Sequence, residues 1–249
     1  MDMRKKLLGA QHPDTLSSMG NPTYCNQGRW NEAEQLNLQV MNMRKKLLGA
    51  EHPDTLSSMT NLAVTYMNWG RWNEAEQLDL QVMDMRKKLL GVKHPSTLLS
   101  IANLAVAYWK QGRWNEAEQL EVQVMDMRKK VLSTEHPDTL SSMANLAATY
   151  MNQGRWNEAE QLEVQVVDMR KKLLGVQHPD TLSSMGNLAA TYWNQGRWNE
   201  AEQLEVQVMN IRKKLLGAQH PDTLSSMKIW QPHIGIREGG MKQSSWRFK

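Results

Sequence analysis

The chain repeats itself every 42 residues, and this period constrains its fold more than any other feature. The segment Gly-Arg-Trp-Asn-Glu-Ala-Glu-Gln-Leu begins at five positions, Gly28, Gly70, Gly112, Gly154 and Gly196. A His-Pro pair recurs beside it, at His12, His52, His94, His136, His178 and His220. A fixed period of this length is typical of a solenoid, in which each repeat buries its apolar face only against its neighbours.

Bulk composition narrows the class of protein further. Of 249 residues, 40% are hydrophobic and 22% are charged, which is typical of a folded chain. The net charge of +4 is mild, so nucleic acid is not the expected partner. Cys25 is the single cysteine, which excludes an internal disulfide and favours a reducing compartment. No apolar run approaches the roughly 20 residues of a membrane span. We therefore expect a cytoplasmic protein without a membrane partner.

One repeat, residues 136–177, predicts two helices. Asp138 and Thr139 are suitable N-cap residues for the first helix, which we expect Gly154 to end. The second helix is predicted to open near Asn157 and to stop at Gly175. Apolar residues at helical spacing predict the core, namely Leu140, Met143, Leu146, Ala147, Tyr150 and Met151 in the first helix and Ala159, Leu162, Val166, Met169 and Leu173 in the second.

The second helix is graded in charge, with Glu158, Glu160 and Glu163 in its first half and an Arg-Lys-Lys triplet near its end. This order complements the helix dipole. A ladder of triplets is also compatible with phosphate binding, but the preceding acids nearly cancel its field. We therefore interpret the triplets at Arg4, Arg44, Arg86, Arg128, Arg170 and Arg212 as solvated helix ends. The repeated tryptophans are interpreted as core residues, at Trp30, Trp72, Trp114, Trp156 and Trp198.

The repeat resembles a tetratricopeptide repeat. The resemblance rests on Leu146-Ala147-x-x-Tyr150, Gly154, Trp156 and Ala159. The 42-residue length and the loop that runs from Leu174 to Thr181, Leu-Gly-Val-Gln-His-Pro-Asp-Thr, are similar to the kinesin light chain variety. The resemblance covers residues 1 to about 227. It implies an all-α, right-handed superhelical solenoid of antiparallel helix pairs.

The repeats divide the chain into segments. We expect the end of a truncated repeat helix at 1–11, full repeats at 52–93, 94–135, 136–177 and 178–219, a partial repeat or capping helix at 220–232, and a disordered tail at 233–249. Repeat 1, at 12–51, lacks two residues and contains Pro22, which predicts a kinked or frayed first helix. No coiled coil and no phosphate-binding Gly-x-x-x-x-Gly-Lys motif is found, and the abrupt start is expected of a fragment or a short paralogue.

Enzyme chemistry is not indicated. Stacked helices lie about 8–10 Å apart. Equivalent His-Pro histidines therefore cannot share one metal ion, whose bonds are about 2 Å long. Acid pairs such as Glu158 and Glu160 lie two residues apart on an exposed helix rather than in a pocket. Cys25 has no repeating partner and is interpreted as incidental. We predict no catalytic residue, no metal and no cofactor.

The first helices carry a variable stripe beside a polar one. Position by position, the variable stripe reads Thr60/Ala102/Ala144/Gly186, Val64/Val106/Ala148/Ala190 and Met67/Trp109/Met151/Trp193. Its spacing of i, i+4 and i+7 is one helical face, away from the core residues Met59, Leu62, Ala63 and Tyr66. The polar stripe contains Asn61, Asn103, Asn145 and Asn187, with Asn68, Lys110, Asn152 and Asn194. The alternative is that the asparagines of the polar stripe are only hydrated surface residues, and that the variable stripe reflects drift among recent duplicates.

In tetratricopeptide arrays the first helices line the concave groove, where peptides or helices bind. The resemblance therefore implies a partner groove of Asn61, Met67, Asn68, Asn103, Trp109, Lys110, Asn145, Met151, Asn152, Asn187, Trp193 and Asn194. Asparagine amides match a peptide backbone, and tryptophans are common interface anchors. The expected function is a non-catalytic scaffold for a protein or peptide. The alternatives are a sensor or scaffold fragment of a nucleotide-binding signalling ATPase, or a kinesin light chain-like cargo adaptor. The oligomeric state is left open.

Overall fold

The computed structural model describes residues 28–226, and this part of the chain is helical throughout except for short loops. Its nine full helices are α1 Trp30–Leu48, α2 Pro53–Trp69, α3 Trp72–Leu90, α4 Pro95–Lys110, α5 Trp114–Leu132, α6 Pro137–Asn152, α7 Trp156–Leu174, α8 Pro179–Asn194 and α9 Trp198–Leu216. A further helical segment covers 221–226. The predictions for the truncated helix 1–11, the kinked helix of repeat 1, Cys25, the capping helix beyond 226 and the tail 233–249 lie outside the described residues.

The chain divides into two compact parts, residues 1–142 and 143–249, which we call the N-terminal part and the C-terminal part. Within each part, helices that are neighbours in sequence pack against each other. Loops of two to four residues join them, so consecutive helices run antiparallel. Even-numbered helices are the first helices of their repeats, and odd-numbered helices are the second. The predicted fold class, an all-α repeat solenoid, is confirmed.

The core lies between consecutive helices and mostly matches the prediction. Met59, Leu62, Ala63 and Tyr66 of α2 are buried. In repeat 4 the buried residues are Leu140, Met143, Leu146, Ala147, Ala159 and Val166, while Tyr150, Met151, Leu162 and Met169 are partly exposed. The prediction for Leu173 is wrong, since 45% of it is exposed. It lies in the last turn of α7, which has 19 residues against 16 in α8 and so extends about 4.5 Å further.

The His-Pro pair begins each first helix, and its histidine is the N-cap. His178 Nδ1 accepts a hydrogen bond from the Asp180 backbone N–H at 3.2 Å, and Pro179 occupies the first helical position. Equivalent bonds form at His52, His94, His136 and His220. The prediction that Asp138 and Thr139 cap α6 is wrong, because α6 already begins at Pro137. Proline fits there since the first helical position needs no N–H.

The residue that follows each second helix adopts a left-handed conformation. Gly49, Gly91, Gly175 and Gly217 have φ between 81° and 94°, values that glycine adopts without strain. Ser133 occupies the equivalent position after α5 with φ of 93° and ψ of 164°. A side chain in this region costs about 1–3 kcal/mol. The hydrogen bond across the loop is kept, since Thr139 Oγ1 donates to the Ser133 carbonyl at 2.8 Å, as Thr55 Oγ1 does to the Gly49 carbonyl.

An arginine joins each described second helix to the first helix that follows, and it is buried at Arg44, Arg86 and Arg128 and partly exposed at Arg170 and Arg212. Arg86 is 7% exposed, and its Nη1 donates to the Ser96 carbonyl at 3.1 Å and to Ser100 Oγ at 2.8 Å. The same pair of bonds recurs from Arg44, Arg128, Arg170 and Arg212. The interpretation of the Arg-Lys-Lys triplets as solvated helix ends is therefore wrong for these five arginines, and Arg4 lies outside the described residues. Only the lysines beside them, such as Lys88, lie in solvent.

A second buried polar position comes directly after the repeated Gly-Arg-Trp-Asn-Glu-Ala-Glu-Gln-Leu segment, at Asn37, Asp79, Glu121 and Glu163. Asn37 Nδ2 donates to Thr65 Oγ1 at 2.8 Å, and Thr191 Oγ1 donates to Glu163. Burial raises the pKa of Glu163 to about 7. Glu163, which the sequence analysis counted among the graded charges of the second helix, is therefore a buried group of the junction between helices.

Among these four side chains, Asp79 is the one that faces no hydroxyl group on the next helix. It is 2% exposed, and the 28-residue register that pairs Asn37 with Thr65 places it against Ala107, which has no hydroxyl group. Burial raises its pKa to about 7, and the Arg86 charge opposes this shift.

We expect R86A to lower the free energy of unfolding by about 1–3 kcal/mol, because it removes two hydrogen bonds from a buried charged group. Urea denaturation followed by far-UV circular dichroism measures the change. The matched control is K88A in the same triplet, for which we expect a change within about 0.5 kcal/mol. Equal effects of the two substitutions would contradict the structural role of Arg86.

We expect D79N to change how stability depends on pH. The ordinary pKa of the Asp79 carboxyl is 3.8, and its folded-state pKa is about 7. Between these values the folded chain holds a proton that the unfolded chain has released, so stability falls as pH rises from about 4 to about 7. Asparagine, which repeat 1 has at Asn37, cannot ionise. D79N should match the parent near pH 4 and exceed it in urea midpoint above pH 7.

The control for this pH series is D84N, which changes an exposed carboxylate on the same helix. Its pH profile should parallel that of the parent chain. A parent profile that is identical to that of D79N between pH 4 and 8 would show that Asp79 is ionised without cost.

Candidate functional site

The twelve predicted partner-binding residues all lie on the first helices, α2, α4, α6 and α8, and we call this surface the first-helix face. Seven are exposed, namely Asn61, Asn68, Lys110, Asn145, Asn152, Asn187 and Asn194. The other five are partly exposed, namely Met67, Asn103, Trp109, Met151 and Trp193. Each first helix thus presents one large apolar side chain with polar side chains at its edge.

The asparagines at the C-terminal ends of two first helices are partly engaged within their own helix. Asn152 Nδ2 donates to the Ala148 carbonyl at 2.7 Å, and Asn194 Nδ2 donates to the Ala190 carbonyl at 2.8 Å. One N–H of each amide is therefore committed. The side-chain oxygen and the second N–H are the groups that each amide can offer to another molecule.

Trp109 gives the first-helix face of the N-terminal part its largest apolar surface. Lys110 Nζ lies 5.1 Å from the centre of the Trp109 ring, within the range of a cation–π interaction. The indole Nε1 is shielded from solvent and has no hydrogen-bond partner among the described residues. The ring therefore offers apolar contact rather than its N–H.

In the C-terminal part, Trp193 of the first-helix face pairs with Trp198, the first residue of the second helix α9. The rings of Trp193 and Trp198 lie 4.5 Å apart at 76°, an edge-to-face arrangement. Trp198 is 54% exposed, so its prediction as a core residue is wrong. The same correction applies to the other exposed repeat tryptophans, Trp72, Trp114 and Trp156. A helical side chain covers the turn before its own Cα, and a residue at the first helical position has no such turn to cover.

An arginine of the repeated Gly-Arg-Trp motif fixes the end of each first helix. Arg71 donates to Glu34 of the preceding repeat at 2.8 Å and to Glu74 of its own repeat at 2.8 Å. Its guanidinium group lies 4.3 Å from the centre of the Tyr66 ring. Tyr66 Oη donates to Glu34 at 2.8 Å. Burial, and then this bond, raise the pKa of Tyr66 to about 12.

The same network recurs where the candidate tryptophans lie. Arg113 bonds Glu76 and lies 4.0 Å from the centre of the Tyr108 ring, next to Trp109. Arg197 bonds Glu160 at 2.6 Å and lies 4.0 Å from the Tyr192 ring, next to Trp193. Sequence reasoning missed this network, although its signal was available. The motif arginine and a glutamate 37 residues before it recur together through the repeats.

The described part of the chain lacks the features of a metal centre and of a membrane span. Within residues 28–226 no group of three His, Cys, Asp or Glu side chains is placed to hold a metal ion. Over that range, no helix is both long and apolar enough to cross a membrane.

Comparisons with known proteins agree with the repeat architecture. Models of the tetratricopeptide repeat match residues 23–88 and 138–214, and residues 97–138. No curated protein sequence matches the chain. A crystal structure of nearly identical TPR-like repeats, from a single-residue variant of a proposed kinesin light chain of Podospora anserina, is 39% identical with a TM-score of 0.71. It covers 82% of this chain and 97% of its own.

More distant structures share the fold alone. BtubC (BKLC) from P. vanneervenii is 16% identical with a TM-score of 0.70, over 95% of this chain and 86% of its own. The B. thuringiensis quorum sensor NprR in its apo form is 15% identical with a TM-score of 0.71, over 95% of this chain and 63% of its own. NprR in complex with its cognate peptide NprX is 15% identical with a TM-score of 0.60, over 84% and 58%.

The family models match more than half of the chain, and the Podospora repeats are similar over most of its length. Both findings confirm the resemblance drawn from the 42-residue period. The chain belongs to the tetratricopeptide repeat family, and its repeats are of the kinesin light chain-like kind.

Proposed function

We propose that this chain is a non-catalytic scaffold that holds a segment of a partner protein on its first-helix face. A protein-interaction scaffold is the role that the tetratricopeptide fold supports in general. The observation that carries the finer proposal is the position of Trp109 and Trp193. Both are large, partly exposed and placed beside exposed polar side chains. An apolar anchor with a polar rim is the usual composition of a binding hot spot.

The contacts around the two tryptophans favour a peptide as the bound segment. The Trp109 ring offers apolar surface beside the ammonium group of Lys110. Trp193 and Trp198 together offer a ring pair that one apolar side chain can contact. The neighbouring asparagine amides match the donors and acceptors of a peptide backbone. Within each part of the chain, weak subsites of this kind on neighbouring repeats add their affinities.

The structural neighbours support the same class of ligand. NprR, which shares this fold, is known in complex with a cognate peptide. For the present chain, a peptide ligand is an inference from the shared fold and from the first-helix face. A cargo adaptor of the kinesin light chain kind is a special case of the same function, favoured by the 39% identity to the Podospora repeats.

We expect W109M and W193M to weaken peptide binding about tenfold each, because each removes an indole ring and leaves a smaller apolar side chain. Methionine is a matched replacement, since the equivalent positions of other repeats hold Met67 and Met151. A displayed library of random 12-residue peptides is selected on the full chain. The Kd of the best synthetic peptide is then measured by fluorescence anisotropy with the parent and each variant.

The control is W72M, which changes a tryptophan that is 39% exposed at the start of the second helix of repeat 2, where the anchor position already holds Met67. Its Kd should stay within about twofold of the parent value. Circular dichroism checks that all three variants keep the helical fold. Selected peptides that bind W109M and W193M as tightly as the parent chain would overturn the proposal.

A further inference from the structure

The N-terminal part exposes apolar side chains between lysines where α3 turns into α4. We call residues 87–93 the Lys-Leu edge, and in order they are Lys, Lys, Leu, Leu, Gly, Val and Lys. Leu89 is 47% exposed, Leu90 is 42% exposed and Val92 is 37% exposed. The lysines on either side of them are exposed or partly exposed as well. Aliphatic and ammonium groups thus share one surface.

Hydrogen bonds hold this edge in an outward position. The Gly91 N–H donates to the Lys87 carbonyl at 3.1 Å, and the His94 N–H donates to the Gly91 carbonyl at 3.4 Å. Directly before the edge, the buried Arg86 donates to the Ser96 carbonyl at 3.1 Å. The chain on both sides of the leucines is therefore fixed, and their exposure is a property of the fold.

Charge distinguishes this junction from the equivalent ones in the N-terminal part. The junctions after α1 and α5 each combine two lysines with two acids, which are Glu51 and Asp54 in one and Glu135 and Asp138 in the other. At the corresponding positions the junction after α3 has Lys93 and Ser96. From residue 85 to residue 115 the chain contains no acidic residue. The nearest acid on α3 is Asp84, one helical turn before the lysines, and α5 has its equivalent in Asp126. The Lys-Leu edge therefore has a local excess of positive charge that those two junctions lack.

The neighbouring second helices extend the apolar surface. α1 and α3 share a core cluster with α2, and α3 and α5 share one with α4. Because consecutive helices run antiparallel, the C-terminal ends of α1, α3 and α5 lie on the same side of the N-terminal part. Leu47 is 52% exposed, Leu48 is 40% exposed and Val131 is 45% exposed at these ends, and two lysines precede each group. The surface is thus broad and projects from helix ends.

We propose that the Lys-Leu edge docks the chain reversibly on the surface of a bilayer that contains anionic lipids. Between residues 87 and 93 all polar side-chain groups are ammonium groups, which attract anionic headgroups without a fixed geometry. The aliphatic side chains between them enter the boundary between headgroups and acyl chains, and the lysine stems lie along it. A polypeptide is matched better by the asparagine amides of the first-helix face.

Docking of this kind needs no membrane-spanning helix, because apolar burial and charge attraction act together at the bilayer surface. The expectation of no membrane partner, drawn from the sequence, considered only a spanning segment. The Lys-Leu edge shares no residue with the first-helix face. Docking at the edge therefore leaves the first-helix face free to hold a partner segment beside the bilayer.

The test mixes the full chain with vesicles of phosphatidylcholine alone and with vesicles that also contain about 30% phosphatidylserine, an anionic lipid. Sedimentation of the vesicles measures the bound fraction. We expect saturable binding to the anionic vesicles, about tenfold weaker binding to the neutral ones, and weaker binding as salt rises. Failure to bind the anionic vesicles, or equal binding to both kinds, overturns the proposal.

Two variants separate the apolar and the charged contributions. L89S/L90S removes aliphatic side chains from positions that are already exposed. K93E/S96D gives this junction the residues that the junctions after α1 and α5 have. Each should weaken binding to the anionic vesicles about tenfold and keep the helical circular dichroism spectrum. Undiminished binding by either variant overturns the proposal.

The reciprocal variant is E51K/D54S, which gives the junction after α1 the charges of the Lys-Leu edge beside the exposed Leu47 and Leu48. We expect it to strengthen binding to the anionic vesicles about tenfold. Binding that does not rise would show that the bilayer does not recognise this charge pattern, and would overturn the proposal.

An acidic polypeptide and a second copy of the chain are the competing occupants of the edge. Fluorescent poly-L-glutamate tests the first by anisotropy, and sedimentation equilibrium of the parent and of L89S/L90S without vesicles tests the second. A monomeric parent that binds the anionic vesicles but not poly-L-glutamate supports the bilayer. Binding of poly-L-glutamate that L89S/L90S abolishes, or a parent dimer that dissociates in L89S/L90S, would overturn it.

Discussion

The rest of the structure depends on the hydrogen bonds that one arginine guanidinium group makes between consecutive repeats. A repeat has no core of its own, and its second helix is covered by the first helix of the next repeat. Arg86 spans this junction and bonds both a backbone carbonyl and a serine hydroxyl in the first turns of α4. The histidine cap acts on the same turns from the other side. Together they fix where each first helix starts, and so which of its residues face outward.

The sequence period was enough to predict the fold class, the helix pairs and most of the core. Met59, Leu62 and Ala63 follow a helical spacing that leaves little choice of buried face. Errors arose where a side chain acts across a junction. The position of Glu163 in its own helix does not show that α8 covers it. A helical pattern also gives Leu173 the same weight as residues nearer the helix centre, although it is exposed. Polar residues inside a junction can be recognised only when both helices are placed.

The candidate site was predicted only in part, because contacts between different helices cannot be derived from the spacing along one helix. Spacing on a helix identified the exposed faces that carry Trp109 and Trp193, because these lie away from the core positions. It could not show that Trp198 pairs with Trp193, nor that the Trp109 indole nitrogen is shielded. Both facts depend on side chains that are close in space and belong to different helices or turns.

The single serine among the junction glycines shows how a tandem array tolerates imperfection. Ser133 adopts a backbone conformation that suits glycine, yet the hydrogen bond across its loop is kept. In a tandem array each junction between repeats contributes separately to the free energy of unfolding, and a weak junction does not reduce the contributions of the others. Under mechanical tension or protease attack, such a chain would unfold first at its least stable junction. The loop after α5 is thus a natural weak point, set by one side chain that its sister loops lack.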